Sequence, residues 1–272
     1  MEIKAADVAK LRKMTGAGMM DCKKALIEAE GDYAKAQDII REKGKLVAAK
    51  RADRTASEGV VVSKIVGDKG YMLCLACETD FVAKNAEFSA SANEILDIAI
   101  SIDAQDLESL KSASVDGRTV ADKVTEKSGQ TGEKVELVYY AKIQAPMCVT
   151  YIHTNHKLGT LIGFNKEISM EVAKDVAMQA AAMAPISISR EDCDPAVIEH
   201  ERAIGREQAR LDGKPEAMLD KIAEGKVNKF LTENTLLSQP LVKNNKISVG
   251  AYIKQDNAEA TVIAYKRFSL ND

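Results

Sequence analysis

The chain has no excess of either charge sign, no membrane-length apolar run, no pairable set of cysteines and no catalytic motif. Each absence narrows what it can be. Lysine plus arginine number 38 against 41 aspartates and glutamates, a formal net charge of −3 with a pI near 5.8. A dedicated nucleic-acid surface usually carries a strong basic excess, so no direct nucleic-acid partner is expected. No apolar stretch nears the roughly 18 residues of a membrane span, so no membrane partner is expected either. The start, Met1-Glu2-Ile3-Lys4, lacks the apolar core of a signal peptide, and the expected location is the cytoplasm.

The five cysteines are odd in number and irregularly spaced, as suits free thiols in a reducing compartment. Cys74-Leu75-Ala76-Cys77 has CxxC spacing, but it lies in an apolar strand, where residues three apart point to opposite faces. A redox pair normally opens a helix, where thiolate is stabilised, and a second pair for zinc is missing. Both cysteines read as buried filler. The phosphate-binding P-loop and the nucleophile elbow are absent. Among the three histidines, His153 and His156 sit three apart in a turn with no third ligand in reach, so no metal and no cofactor is expected.

What is present is ordinary globular material: 272 residues, 46% hydrophobic and 29% charged, enough for about two domains. Residues 1–54 read as a three-helix module. Val8 and Leu11 mark the first helix. Cys22, Ala25, Leu26 and Ala29 form one helical face of the second. Asp32 caps a third helix carrying Tyr33, Ala36 and Ile40. The pattern stops being helical after Lys45, and residues 45–58 read as a linker with a boundary near Arg54.

Residues 55–144 read as an α/β subdomain. Val60–Val66 and Tyr71–Cys77 form a hairpin around Gly67-Asp68-Lys69-Gly70, with apolar residues on both faces, so the sheet should be covered on both sides. A helical stripe follows at Phe88, Ala92, Ile95, Leu96 and Ala99, then a weaker helix at 120–127 and a strand at 135–143. Residues 145–272 repeat hairpin and helix: strands at 147–152 and 160–164, then a helix capped by Ser169. Its stripe is Ala173, Val176, Ala177, Ala180, Ala181 and Ala184, and Pro185 stops it. An insertion at about 194–230 reads as a protruding antiparallel helical hairpin, with Val197, Ile204 and Leu211 at heptad spacing and Met218, Leu219 and Ile222 on the return. After Val249–Lys254 and a turn at Asp256-Asn257, the chain closes on a strand from Ala260 to Phe268. The fold class is α+β: a helical module, two related α/β subdomains with small antiparallel sheets, and the inserted hairpin.

Three features could bind a partner, and each has a plainer reading. Asp80-Phe81 lies where an apolar strand meets a helix. Periodicity alone places Phe81 seven residues before Phe88 on the same stripe, hence in the core, with Asp80 as a cap; its place at a surface turn makes it a probe instead. Met19-Met20 follows the glycine turn, on a helix whose core face is already supplied, so at least one should be exposed as an adaptable contact; the plainer reading puts both in the core. The turn at His153 reads equally as an ordinary hairpin tip.

Two long ungapped segments carry a family resemblance. Thr15-Gly16-Ala17-Gly18-Met19-Met20-Asp21-Cys22-Lys23-Lys24-Ala25-Leu26 and Thr79-Asp80-Phe81-Val82-Ala83-Lys84-Asn85 resemble the two signatures of elongation factor Ts, and the layout is similar along essentially the whole chain. The N-terminal module is also similar to ubiquitin-associated domains. The resemblance implies a guanine-nucleotide exchange factor for elongation factor Tu, a GTPase of translation, working without covalent chemistry. It implies that Asp80 and Phe81, with Thr79 and Val82, enter the partner near its magnesium and phosphate site as a wedge. Arg12, Met19 and Met20 would dock the helical module. His153 and Gly159 would make a contact at the hairpin tip, the helical hairpin would serve partner or self contacts, and a homodimer within a heterotetramer would pair through the core or the hairpin. One departure stands out: where the family commonly has Gly-Gly and then Arg-Ile-Gly, this chain has Asn155-His156-Lys157-Leu158-Gly159. Asparagine adopts the left-handed conformation more easily than histidine, which puts the tip's path in question. Two rival readings are a non-catalytic adaptor using the three-helix module and a thiol oxidoreductase using Cys74 and Cys77.

Overall fold

The computed structural model describes residues 3–272; Met1 and Glu2, half of the segment read for a leader, lie outside them. Three helices open the chain: α1 (Ala5–Thr15), α2 (Met19–Glu28) and α3 (Tyr33–Lys50). The first subdomain follows as β1 (Glu58–Val66), β2 (Lys69–Cys77), α4 (Asp80–Ala83), α5 (Ala86–Ser101), α6 (Leu107–Ser112), β3 (Ser114–Val115), β4 (Arg118–Thr119), α7 (Val120–Thr131) and β5 (Glu136–Gln144). The second runs β6 (Met147–Ile152), β7 (Leu158–Phe164), α8 (Met170–Met183), α9 (Pro195–Leu211), α10 (Glu216–Asn234), β8 (Pro240–Leu241), β9 (Asn244–Ser248), α11 (Val249–Asp256) and β10 (Val262–Ser269). Each subdomain is built on a three-stranded antiparallel sheet, in the orders β1-β2-β5 and β10-β7-β6. The α+β class, the N-terminal helices and the small antiparallel sheets match the sequence reading.

The helical module closes over Val8, Leu11, Cys22, Ala25, Leu26 and Ala36. The Asp32 carboxylate caps α3 by accepting from the amides of Ala34 and Lys35. That helix corrects the linker reading: it continues to Lys50 where the sequence pattern was expected to break at Lys45. The reason is tertiary. Gly44, mid-helix and buried, meets Gly129 of α7, and a Cβ added at Gly129 would stand 2.4 Å from the Gly44 Cα. Two glycines let the helix backbones touch, and that packing outweighs the poor intrinsic helix propensity of glycine. Gln130 Nε2 adds a hydrogen bond to the Thr15 carbonyl at 2.6 Å. The module is therefore fastened to the first subdomain.

The centre of the molecule is the contact between the two sheets. One face of β2, with Leu73 and Leu75, packs on Phe88 and Leu96 of α5. The opposite face, with Met72 and Cys74, packs on Leu161 of β7. Cys77 belongs to the helix side and Cys74 to the sheet side, as the two-residue strand period requires. On the second sheet, Val172, Ala173, Val176, Ala177 and Ala180 of α8 pack against Ile162 and Phe164. Ala184, expected on that stripe, instead ends the helix in the left-handed conformation (φ +44) and is exposed. The segment from Val249 is a helix capped by the Ser248 hydroxyl.

The helical hairpin α9–α10 packs mainly on itself. Its seam is Gly205 and Ala209 against Leu219, Ala223, Val227 and Leu231. This corrects the heptad of Val197, Ile204 and Leu211: Val197 is half-buried at the base, while Ile204 and Leu211 are exposed. A Cβ added at Gly205 would lie 3.3 Å from the Ala223 Cα. Close helix approach selects small residues on the α9 side of the seam, so the α9 heptad points away from it.

Candidate functional site

The segment from Cys77 to Asn85 changes direction twice within nine residues. At the end of β2, the Cys77 thiol donates to the Thr79 carbonyl (3.3 Å). The Thr79 hydroxyl caps the single turn α4 by accepting from the Val82 amide (3.4 Å). Asn85 then caps α5, its side-chain oxygen accepting from the Glu87 amide (2.8 Å). A second cap six residues after the first resets the helical register, so Phe81 and Phe88 do not share a stripe. Val82 and Ala83 pack on the core of the first subdomain. Phe81 points away and is 85% exposed, the one exposed aromatic among the described residues. The structure overturns the core reading of Phe81 that periodicity favoured. Asp80, beside it, accepts from the Lys84 ammonium at 2.6 Å, and that hydrogen bond holds its carboxyl below the usual range. Such an exposed pair is weak and exchangeable.

The foot of this turn rests on residues that the sequence did not single out. Glu133, just past α7, accepts from the Glu78 and Thr79 amides (3.1 and 3.0 Å) and from the Thr79 hydroxyl (2.6 Å). Glu78 binds Arg51 through both carboxylate oxygens (3.0 and 2.9 Å) and accepts from the Lys134 amide (2.6 Å). The Lys134 amide leads the causes that lower the Glu78 carboxyl. The only local signal was Gly132, a left-handed helix cap that turns the chain so the next side chain faces the strand end. Nothing in the sequence says which strand end that is.

Met19 and Met20 are both exposed, at 41% and 63%, and Arg12 is exposed with no ion-pair partner among the described residues. Arg12 and Met19 line a cleft of about 1090 Å³ between the module and the first subdomain, opposite Glu87, Glu94 and Lys127; Met20 lies outside its lining. Desolvation lowers the Lys127 ammonium against the opposing pull of Glu87 and Glu94.

In the second subdomain's hairpin, the Tyr151 hydroxyl and His153 Nδ1 share a hydrogen bond of 2.8 Å. His156 takes the left-handed conformation (φ +57), the one that a histidine adopts less easily. Asn155 instead accepts from the Lys157 amide with its side chain, a local turn bond. The tip is anchored to β1: Val61 donates to the His156 carbonyl (2.7 Å) and Lys157 pairs with Glu58 (2.6 Å). Glu58 faces Cys77 in register and also acts on Lys84, so the tip reaches the strand end from which the Phe81 turn departs. Gly159 offers no surface. It is buried between the sheets, and a Cβ there would approach Met72, Ile152 and Val61 within 2.9 Å.

All five cysteines are buried and free. Desolvation pushes Cys74 and Cys77 each up to about 12, the reverse of an activated thiolate. Among the described residues no group of histidine, cysteine or carboxylate side chains could hold a metal, and no helix is long and apolar enough to cross a membrane. What the fold presents is an exposed aromatic on a pinned turn, a methionine–arginine patch, and a histidine at an anchored hairpin.

Residues 78–272 match the family model described as Elongation factor TS. A relative named Elongation factor Ts from Christiangramia forsetii is 47% identical over 273 residues, covering 99% of each chain. One of the same name from Porphyromonas gingivalis is 46% identical over 272 residues, covering 100% of this chain and 99% of its own. A third, from Hydrogenobaculum sp., is 42% identical over 276 residues, covering 99% of each.

Proposed function

This chain belongs to the elongation factor Ts family, and on that premise we propose that it speeds GDP release from elongation factor Tu by inserting Phe81 and Asp80 beside the partner's magnesium and phosphate site. Family membership makes the chain a nucleotide exchange factor of translation. The reading goes further in giving the work to named side chains, acting in the cytoplasm. The observation that carries it is Phe81, 85% exposed on a turn whose neighbours Val82 and Ala83 are held by the core. An apolar ring kept in water on a fixed mount suits insertion into a partner better than it suits folding.

The mechanism is energetic linkage. A factor that binds the GDP-free partner more tightly than the GDP-loaded one must weaken GDP by the same factor. Burying one phenylalanine is worth roughly 1.5–3 kcal/mol, and a coupling of about 3 kcal/mol changes affinity on the order of 100-fold. Phe81 would displace partner helices, and Asp80 would leave Lys84 for a donor on the partner. Arg12, Met19 and Met20 supply affinity at a separate patch, and His153 supports the same contact from the second subdomain. The test is stopped-flow release of fluorescently labelled GDP from elongation factor Tu. The expected result is release that accelerates with added chain and saturates. An unchanged release rate at saturating chain would overturn the proposal.

A further inference from the structure

Both carboxylate oxygens of Glu133 bind the foot of the Phe81 turn. One oxygen takes the Glu78 and Thr79 amides, and the other takes the Thr79 hydroxyl at 2.6 Å. These three donors make up the chain's approach to Asp80. The last of them also sets the cap. A threonine hydroxyl has one proton, and donating it to Glu133 leaves its lone pairs for the Val82 amide, the bond that closes α4. Glu133 thereby fixes which way the cap faces and, through α4, where Phe81 stands. Around it, Glu78 joins Arg51 at the end of α3, and Lys134 donates to the Ala52 carbonyl (3.0 Å). One polar knot holds the turn, the helical module and the corner between α7 and β5.

We propose that Glu133 is a positioning residue for nucleotide exchange: it preorganises the Thr79–Val82 turn so that Phe81 meets the partner already aimed. The proposal rests on the wedge reading of Phe81. Without the carboxylate, the two amides and the hydroxyl turn to water, and the turn must be ordered at the moment of insertion. Docking at Arg12, Met19 and Met20 is untouched, so the loss falls on the maximal rate of GDP release and spares the half-saturating concentration.

The experiment is a mutant cycle on the full chain with elongation factor Tu and labelled GDP. Glu133→Ala should lower the maximal release rate about tenfold, equivalent to about 1.4 kcal/mol, with the half-saturating concentration changed less than about threefold. Glu133→Gln keeps an oxygen for the amides and can donate to the Thr79 hydroxyl oxygen, so it should recover most of the rate. In a Phe81→Ala background, Glu133→Ala should cost less than about twofold more, because its effect runs through the ring. If Glu133→Ala does not fold, Thr79→Val, which deletes the hydroxyl arm, enters the same cycle with the same non-additivity expected. Three results would overturn the proposal: wild-type release by Glu133→Ala, full multiplication of the two losses, or a glutamine variant as slow as alanine. The two readings fail differently. Wild-type release by Phe81→Ala removes the wedge and this proposal with it; slow release by Phe81→Ala with normal release by Glu133→Ala removes only the positioning role.

Discussion

Replacing Phe81 by alanine separates folding from function, because the ring makes so little of the folded state. It is 85% exposed, while its neighbours Val82 and Ala83 hold the turn. Truncation opens no cavity, and alanine is a slightly better helix former, so stability should change by no more than about 0.5 kcal/mol. At the partner the balance reverses. A buried aromatic anchor contributes about 2–3 kcal/mol, which corresponds to GDP release slowed about 30- to 150-fold if the ring acts only when inserted. The assay pairs thermal melting of the variant with stopped-flow release of labelled GDP at saturating variant. An unchanged melting curve with slow release is the expected pair. Release at the wild-type rate would refute the wedge, and a melting point lowered by many degrees would show that the ring belongs to the fold.

Three further outcomes follow from the same packing and electrostatics. Gly129→Ala puts a Cβ 2.4 Å from the Gly44 Cα, so α3 and α7 must separate; the expected cost is about 1–3 kcal/mol, read as a lower melting temperature with faster amide exchange in the helical module, and unchanged exchange would contradict the crossing. The five cysteines are buried and Cys74 and Cys77 sit near 12, so a thiol reagent at pH 8 should label the native chain only as it unfolds; fast labelling of any one would revive a redox reading. Asp103 is held down to about 2, first by the Lys69 hydrogen bond and then by that of Lys142. Its folded value lies below the unfolded value, so its contribution is present above about pH 4 and is lost as pH falls toward 2. Asp103→Asn, tolerated at its φ of +49, should be less stable than wild type at neutral pH and equal to it near pH 2; a gap independent of pH would contradict this.

Where a single element buried one face, the sequence was readable. The Cys22-Ala25-Leu26 face, the two hairpins and the alanine stripe of α8 all follow from period and from caps at Asp32 and Ser169. Reading failed where two elements meet or where a register restarts. Phe81 looked like part of the Phe88 stripe because the seven-residue spacing runs straight through the Asn85 cap. The helical pattern was expected to stop at Lys45 because the contact that supports α3 there joins Gly44 to Gly129, 85 residues on. The α9 side of the α9–α10 seam was misplaced because small residues, Gly205 and Ala209, mark it. At the candidate site, Asp80 and Phe81 were visible as residue types, and both signature methionines proved exposed. Glu133 was not visible, since its meaning comes entirely from a fold that brings the end of α7 under the end of β2. Gly159 carried a surface role by resemblance and is instead a space-maker between the sheets.

The central claim is that this chain and GDP oppose each other on one partner. The direct measurement is the affinity of the chain for elongation factor Tu, by calorimetry, with the partner GDP-free and then GDP-loaded. The account predicts much tighter binding to the GDP-free partner, by on the order of 100-fold, and the same ratio when GDP affinity is measured with and without the chain. Equal affinity for the two forms would contradict it, however tightly the chain binds.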